Sequence, residues 1–325
     1  MSESTFSAGN FILELPVFQS AGTSPLTAFE FLQPRLAGGD RDQLANWFTQ
    51  DHVQIDHQPI QASHAVLQGQ VVCLQIPDHW EEPVDTHWQL IWENNELMVV
   101  YKPATLPVSR TTRNLYHTLI SLVRRETCWA DARLLHRLDT ETDGLVLLAK
   151  DQSADRKWKP KLSDLMISKR YHARVYGRPV WKTQTCTAAL TTREGSAIRS
   201  QMHIADTSGN GVKPCTSHFR LLDSDPGFSL IECTLATGRR HQLRAHLAYL
   251  GHPIVGDKIY AHQGRFYLQR LTETLSEEDL LRLGGSHHQL TACHLTLRLN
   301  EQDPVFEIDL PDSLNSTLHS FNCAR

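Results

Sequence analysis

The 325-residue sequence has no long hydrophobic run and no basic leader at its N-terminus. Its best apolar stretches, such as LMVVY and GLVLLA, have the length of strands, far below the ~18 residues that span a bilayer. Glu14 and Pro16 interrupt the short apolar patch near the start, which disfavours a secretory signal. We therefore expect a protein with no membrane partner, located in the cytoplasm.

The sequence also lacks compact metal-binding and cofactor-binding motifs. Its seven cysteines are scattered and include no C-x-x-C pair, which argues against a disulfide scaffold or a structural zinc site. Its 18 histidines include no H-E-x-x-H motif, and the adjacent His287 and His288 would point to opposite faces of a strand. There is no Walker lysine pattern and no G-x-G-x-x-G. We expect no metal, no nucleotide cofactor, and histidines in structural or surface roles.

Positive charge is scarce in the first part of the chain and abundant in the rest. Residues 1–90 contain 2 basic and 11 acidic side chains, whereas residues 91–325 contain 30 basic and 25 acidic ones. Residues 156–182 contain nine Lys and Arg residues, one acidic residue, and interleaved Trp and Tyr residues. Such a run is often only a solvated face, but this one also suits phosphate contacts combined with base stacking.

A composition shift divides the chain into two predicted domains. The segment IPDHWEEPVDTHW (76–88) has two prolines and several acidic residues and breaks any apolar periodicity. Before it, two short amphipathic helices and several short strands are predicted, so residues 1–87 form a small module with its linker. In residues 88–325, many strands mix with a few helices without regular alternation. This pattern predicts an α+β domain with a mixed, largely antiparallel sheet and flanking helices.

Two stretches bear chemistry-competent side chains. In LLHRLDTETDGLVLLAK (134–150), a polar loop with three carboxylates precedes a buried strand. A carboxylate there could serve as a nucleophile, as a general acid or base, or as one ligand pair of a metal site. The alternative is a purely structural role, in which the carboxylates accept hydrogen bonds from backbone amides of the turn. In LATGRRHQLRAHLAYLGHPIVGDKIY (235–260), a Thr-Gly turn opens a predicted helix (239–251) with cations in its first turns, where the helix dipole disfavours them unless an anion is near.

Four ordered motifs resemble those of the RluA-like RNA pseudouridine synthases. HRLDTETDGL resembles the family's H-R-L-D-x-x-T-S-G-L loop, and VVYKPATLPV (99–108) its lysine-proline strand and turn. KRYHARVYG (169–177) resembles K-x-Y-x-A-x-V-x-G, and TGRRHQLRAHLAYLGHPIVGDKIY resembles T-G-R-x-H-Q-I-R with its following G-D loop. The residues from Leu26 to Pro77 resemble more weakly the family's small alpha-L RNA-binding domain. The resemblance implies the pseudouridine synthase catalytic fold, preceded by an alpha-L-like module.

The resemblance also implies an activity and a set of site residues. The family isomerises specific uridines of RNA to pseudouridine without a cofactor, on ribosomal or transfer RNA. Asp139 aligns with the nucleophile, Arg244 with its salt-bridge partner, and Tyr171 with a tyrosine that stacks on the base and takes part in a late proton transfer. Arg137 aligns with a residue that fills the space left by the flipped nucleotide. Further cations near the motifs are expected to bind RNA: Lys102, Lys169, Arg170, Arg239, Arg240 and His241. For Lys102, a role in shaping a turn beside the active site and a solvent-facing position are equally open.

Two substitutions and one insertion depart from the family pattern. Asp143 stands where the family has Ser, and we expect its carboxylate to point away from Asp139 and cap the turn. Thr291, in LTACHLTLRL, stands where the family has His. The segment 263–285 has no counterpart in the pattern. The acidic N-terminal module lacks the charge that phosphate binding requires, so we expect it to contribute little RNA affinity and to pack on the catalytic domain.

Other functions fit the sequence less well. A retaining glycosidase would need a second carboxylate about 5 Å from Asp139 and would leave the basic surface unexplained. A catalytically silent RNA-binding or RNA-folding protein on the same scaffold is the stronger alternative. Nothing in the sequence specifies an oligomer, so a monomer is the default expectation.

Overall fold

A computed structural model describes residues 10–18, 24–36, 41–77, 79–205 and 211–323. Two sheets with separate cores dominate this part of the chain, and a two-stranded sheet joins residues 190–191 to 203–204. In the described residues, no helix is long and apolar enough to cross a membrane.

The first sheet has four antiparallel strands in the order β1-β4-β2-β3. Its strands are β1 (Asn10–Pro16), β2 (Val53–Ile55), β3 (Gln58–Pro59) and β4 (Val71–Pro77). Two short helices, α1 (Ala28–Leu32) and α2 (Arg41–Thr49), bury Phe31, Trp47 and Phe48 against it. The predicted helices and short strands of this region are therefore present. The domain boundary at residue 87 and the alpha-L-like character stay predictions.

The second sheet has ten strands. They are β5 (Gln89–Glu93), β6 (Leu97–Lys102), β7 (Arg133–Leu134), β8 (Asp143–Ala149), β9 (Met166–Tyr176), β10 (Thr183–Cys186), β13 (Ser217–Ser224), β14 (Phe228–Leu235), β15 (Leu290–Leu297) and β16 (Phe306–Asp309). The separate two-stranded sheet consists of β11 (Leu190–Thr191) and β12 (His203–Ile204). The main path runs β10-β13-β14-β9-β15-β8-β6-β5, with β16 beside β15 and β7 beside β8. Its pairs are antiparallel except β8 with β15, which run parallel.

Helices cover both faces of the large sheet. They are α3 (Leu119–Glu126), α4 (Gln152–Trp158), α5 (Leu162–Leu165), α6 (Gln242–Tyr249), α7 (Arg265–Gln269), α8 (Glu277–Leu283) and α9 (Ser316–Cys323). Because successive strand residues face opposite sides, Val146 and Leu148 pack with α3 and α6, while Leu145 and Leu147 pack with α4 and α5. Every residue of β8 is buried, which agrees with the predicted buried strand.

The helix predicted over residues 239–251 is shorter than expected. His241 adopts a left-handed conformation with φ of 55°, and α6 begins only at Gln242. Arg239 and Arg240 therefore belong to the loop before the helix, and the prediction that they lie in its first turns is wrong. Arg244 does lie in the first turn of α6, and the carboxylates of Asp139 and Asp257 supply the anions that the helix dipole requires beside it.

Glu81 holds the segment after β4 against the part of the chain that contains the large sheet. Its side chain is 1% exposed, and its carboxylate accepts hydrogen bonds from the backbone N–H groups of Leu115, Tyr116 and His117 at 2.7–2.8 Å. The Phe11 ring, on β1, contacts the rings of Tyr116 and His117 at centroid distances of 5.9 and 5.0 Å. The N-terminal sheet thus contacts the segment that leads into α3, in line with the packing we expected.

Candidate active site

The loop before β8 is fixed by the strands on either side of it. The Thr142 N–H donates to the carbonyl of Asp139 at 3.1 Å, which closes a turn at the end of the loop. Gly144, with φ of 111°, lies so close to β15 that a Cβ there would stand 2.2 Å from the Ala292 carbonyl oxygen. Only glycine permits this approach. The close contact fixes the start of β8 and, with it, the turn that carries Asp139.

Asp139 forms one end of a buried chain of charges. Arg244, on α6, donates from Nη1 to Asp139 Oδ2 at 2.9 Å. Its Nε and Nη2 donate to the two carboxylate oxygens of Asp257 at 2.7 and 2.9 Å. The bidentate contact fixes the guanidinium plane, since both parallel N–H groups are used. Asp257 is itself held by the N–H groups of Ile259 and Tyr260. Arg244 therefore presents a pre-oriented donor to Asp139.

The surrounding charges keep Asp139 ionised. Burial acts to raise the pKa of its carboxyl group, but the charge of Arg244 and its hydrogen bond outweigh burial and lower the pKa below its ordinary value. The His241 ring lies 3.9 Å from Asp139 Oδ2, and burial, with the charge of Arg244, lowers its pKa to about 4. His241 is thus neutral at pH 7, while the Asp139 side chain, 26% exposed, is an accessible carboxylate.

Asp139 opens into a cavity of about 870 Å³. This volume lies in the upper part of the ~300–1,000 Å³ range of ligand pockets. Tyr171, which is 5% exposed, lines the same cavity, and burial, with the charge of Asp139, raises the pKa of its phenol. Predicted site residues in this wall are Arg137, Asp139, Lys169, Tyr171, Arg239, Arg240, His241 and Arg244. The fold thus brings eight of the ten predicted site residues to one cavity rich in positive charge.

The remaining two predicted site residues lie elsewhere. Lys102 is 0% exposed, and its Nζ donates to the carbonyls of Pro103, Leu106 and Thr140 at 2.8–3.0 Å. The prediction that Lys102 binds RNA is therefore wrong, and it instead braces the turn beside Asp139. Arg170 precedes Tyr171 on β9 and does not line the cavity, because neighbouring strand residues point to opposite faces. It pairs with Glu232 at 3.4 Å.

Several site residues carried no clear signal in the sequence. Glu141, on the Asp139 loop, accepts from Lys258 Nζ at 2.7 Å and from the N–H of His288 at 3.3 Å. His288 is 1% exposed and lies in the connection between α8 and β15, so the expectation of a strand at His287 and His288 is wrong. Burial, followed by the charge of Arg244, lowers the pKa of His288 to about 3. In the sequence, the G-D motif in the loop after α6 was the one feature that pointed to this part of the site.

The two substitutions that depart from the family pattern contact each other. Asp143 and Thr291 are register partners on β8 and β15, and Thr291 Oγ1 lies 2.8 Å from Asp143 Oδ1. Asp143 is 1% exposed, and burial raises the pKa of its carboxyl group. Asp143 does not cap the turn, so that part of the prediction is wrong. It bonds across the sheet, and Arg244, not Asp143, is the main cause of the lowered pKa of Asp139.

Comparisons with known proteins agree on one family. Residues 96–249 match the family model described as RNA pseudouridylate synthase. A ribosomal large subunit pseudouridine synthase D of Xylella fastidiosa is 32% identical over 227 residues, which cover 68% of this chain and 66% of that relative. A mouse pseudouridylate synthase is 29% identical over 276 residues, which cover 84% of this chain and 48% of the relative. The chain thus spans between about half and two thirds of these relatives' lengths.

Solved structures agree with this fold. Human RNA pseudouridylate synthase domain containing 1 superposes with a TM-score of 0.56 at 22% identity, covering 73% of this chain and 89% of that one. Human RNA pseudouridylate synthase domain containing 4 gives a TM-score of 0.52 at 23% identity, covering 72% and 93%. The predicted α+β fold with a mostly antiparallel sheet and flanking helices is confirmed.

Proposed function

Because the chain belongs to the RNA pseudouridylate synthase family, we propose that it isomerises uridine to pseudouridine in RNA, with Asp139 as the nucleophile. One observation carries the proposal. The Asp139 carboxylate, held 2.9 Å from the buried Arg244 guanidinium, opens into a large cavity lined by cations and Tyr171. A pre-oriented, ionised carboxylate needs no separate base to activate it.

The reaction breaks one bond to the sugar and forms another. The bond from C1′ to N1 of uracil breaks, the base turns, and C1′ rejoins through C5. The hydrogen on C5 leaves as a proton and N1 gains one, so the composition of the nucleotide does not change. Asp139 assists the exchange at the glycosidic bond, and Arg244 stabilises its charge throughout. The Tyr171 ring stacks on the base, and no step requires a metal or an organic cofactor.

The cations of the cavity suit an RNA substrate. Arg137, Arg239 and Arg240 are exposed in its wall, and Lys169 is half-buried there. Because the reacting atoms of a stacked nucleotide are inaccessible, the uridine must flip out of its strand, and Arg137, two residues before Asp139, is placed to fill the vacated space. Ribosomal and transfer RNA are the proposed substrates. The curated relatives named for the ribosomal large subunit support the ribosomal one.

We further propose that residues 1–87 form a separate module that adds little RNA affinity. Both of its arginines are engaged by aromatic rings. The Arg35 guanidinium lies 4.1 Å from the Phe31 ring centroid and is 5% exposed, and that of Arg41 lies 5.4 Å from the Phe29 ring centroid. With 11 acidic side chains in residues 1–90, the net charge near this module disfavours phosphate.

Tritium release tests the activity directly. RNA labelled with tritium at C5 of uridine is incubated with wild type and with Asp139→Asn, using total ribosomal and total transfer RNA separately. We expect wild type to release tritium from one pool and Asp139→Asn to release none while binding the same RNA. Equal binding without release by either protein would instead support the silent RNA-binding alternative.

A further inference from the structure

The insert, residues 263–285, has no counterpart in the family pattern, yet it reaches the catalytic cavity. It comprises α7, α8 and their connection, and two of its residues, Tyr267 and Arg270, line the cavity that contains Asp139. They are three positions apart, which places both on one side of a helical turn. The insert therefore forms part of the wall around the reacting nucleotide.

The insert is firmly attached, so these two side chains are pre-positioned. Phe266 is 2% exposed and Leu283 is 0% exposed, which anchors the two helices in the protein interior. The Asp279 side chain joins the helices, because it caps the start of α8 and also accepts from Gln269 Nε2 at 3.0 Å. At the end of α8, the Tyr176 hydroxyl donates to the Leu283 carbonyl at 2.6 Å.

The Arg270 guanidinium is able to donate hydrogen bonds to a ligand. Its guanidinium lies 3.6 Å from Glu141 Oε1 and 3.5 Å from Glu82 Oε1, longer than the usual hydrogen-bond range of about 2.7–3.2 Å. Within the described residues, its five N–H groups make no hydrogen bond, and the side chain is 25% exposed. Glu141 already has Lys258 as a close partner. The guanidinium can therefore turn to an incoming phosphate without leaving a carboxylate of the catalytic loop unpaired.

Tyr267 offers an aromatic surface beside this cation. Its backbone N–H donates to the Lys258 carbonyl at 3.2 Å, which ties it to the loop that holds Glu141. In the described part of the chain, its ring makes no contact with another aromatic ring. A tyrosine next to an arginine is the combination that binds a nucleotide of single-stranded RNA, with the ring on the base and the guanidinium on the phosphate.

We propose that Tyr267 and Arg270 form a subsite for the nucleotide that flanks the target uridine. The subsite rests on the proposed function, and its ligand is one RNA nucleotide, with its phosphate on Arg270 and its base on Tyr267. Arg270 adjoins Glu141, two residues from Asp139, so the subsite borders the space for the flipped uridine. The insert thus selects the sequence context of the modified uridine.

Substitutions in full-length protein test the subsite. The variants are Tyr267→Ala, Tyr267→Phe and Arg270→Ala. Arg282→Ala is a matched control, since Arg282 on α8 is 58% exposed and pairs with Glu278 away from the cavity. Glu82→Gln is the second control, because it removes the linker partner of Arg270 and leaves the cavity intact. Initial rates of tritium release are measured against RNA concentration and KCl, on the ribosomal or transfer RNA pool that wild type modifies.

We expect Tyr267→Ala to raise KM about tenfold with kcat within about twofold, since stacking of one base is lost. Tyr267→Phe keeps the ring and should match wild type. Arg270→Ala should raise KM severalfold and reduce the slope of log KM against log salt by about one. Both controls should match wild type.

Three outcomes would overturn the subsite. They are unchanged KM values for Tyr267→Ala and Arg270→Ala, a fall in kcat alone, or a Glu82→Gln variant that reproduces Arg270→Ala, since the arginine would then only hold the linker. In all three, wild type still releases tritium and the proposed function stands. No release by wild type from either RNA pool would overturn the proposed function and the subsite together.

Discussion

The bond between Thr291 and Asp143 gives a quantitative prediction, because the Thr291 hydroxyl is the main hydrogen-bond partner of a buried carboxyl group. Thr291→Val removes the hydroxyl that lies 2.8 Å from Asp143 Oδ1 and nearly preserves the side-chain shape. Oδ2 of Asp143 already has no hydrogen-bond partner among the described residues. The nearby Lys102 ammonium gives its three protons to backbone carbonyls. The variant therefore removes the stronger of the two hydroxyl partners of this buried carboxyl group and leaves only the weaker one, Ser316.

The cost follows from the burial of that group. A buried polar group that loses its partner costs about 1–3 kcal/mol, and more when it is charged. We expect Thr291→Val to lower the free energy of unfolding by about 2–3 kcal/mol at pH 7. Thr291→Ser, which keeps the hydroxyl, should lose only about 1 kcal/mol for the missing methyl group. The shift of the urea unfolding midpoint of the full-length protein measures both losses.

The pH dependence identifies the carboxyl group as the cause. Burial raises the pKa of Asp143 in the folded protein, so the folded state binds this proton more tightly than the unfolded state does. The contribution of Asp143 to stability is therefore greatest at low pH and falls as pH rises from the unfolded to the folded pKa. Thr291→Val removes a donor to the charged form and raises the folded pKa further. Its destabilisation should grow with pH, whereas that of Thr291→Ser should not.

A double substitution tests whether the two departures form one exchange. Asp143→Ser with Thr291→His installs the pair found in the family pattern. We expect the double variant to lose less stability than the two single variants combined, with a coupling of about 0.5–3 kcal/mol. A pH-independent loss in Thr291→Val, or strict additivity of the exchange, would refute this reasoning.

Four further predictions concern the catalytic domain and its linker. Arg244→Lys keeps the charge but cannot bridge Asp139 and Asp257 together, so tritium release should fall about 100-fold. The acid limb of the pH–rate profile should move to higher pH, because a less well placed cation lowers the pKa of Asp139 less. Asp143→Ser should leave that limb unchanged in the same assay, and a shifted limb would show that Asp143 tunes the nucleophile. Glu81→Gln should lower the free energy of unfolding in urea by about 1–3 kcal/mol at pH 7. Burial acts to raise the pKa of Glu81, but hydrogen bonds from His79 and three backbone N–H groups lower it overall. The loss of stability should therefore vanish as pH falls through the pKa of Glu81 in the folded protein. Deletion of residues 1–87 should leave the salt dependence of RNA binding within about one unit of slope, and a larger decrease would mean that the module contacts phosphates.

Local sequence patterns predicted several of the elements that the structure contains. The alternation in KRYHARVYG and the apolar run in GLVLLAK correspond to β9 and β8, because strand periodicity and burial are recorded in neighbouring residues. The motifs also identified Asp139, Tyr171 and Arg244, which the fold brings to one cavity. The helix at residue 239 was predicted too early, because the left-handed turn at His241 leaves no clear signal in composition.

The sequence by itself determined several of the strands and helices, the family resemblance and the site residues Asp139, Tyr171 and Arg244, since each of these depends on short segments. Only the tertiary structure decided which distant residues share an environment. It buried Lys102 under three carbonyls, joined Thr291 to Asp143 across 148 positions, and placed Tyr267 and Arg270 beside the catalytic loop. Burial and partnership depend on the packing of segments far apart in the chain, and they decide whether a cation contacts RNA or supports the backbone.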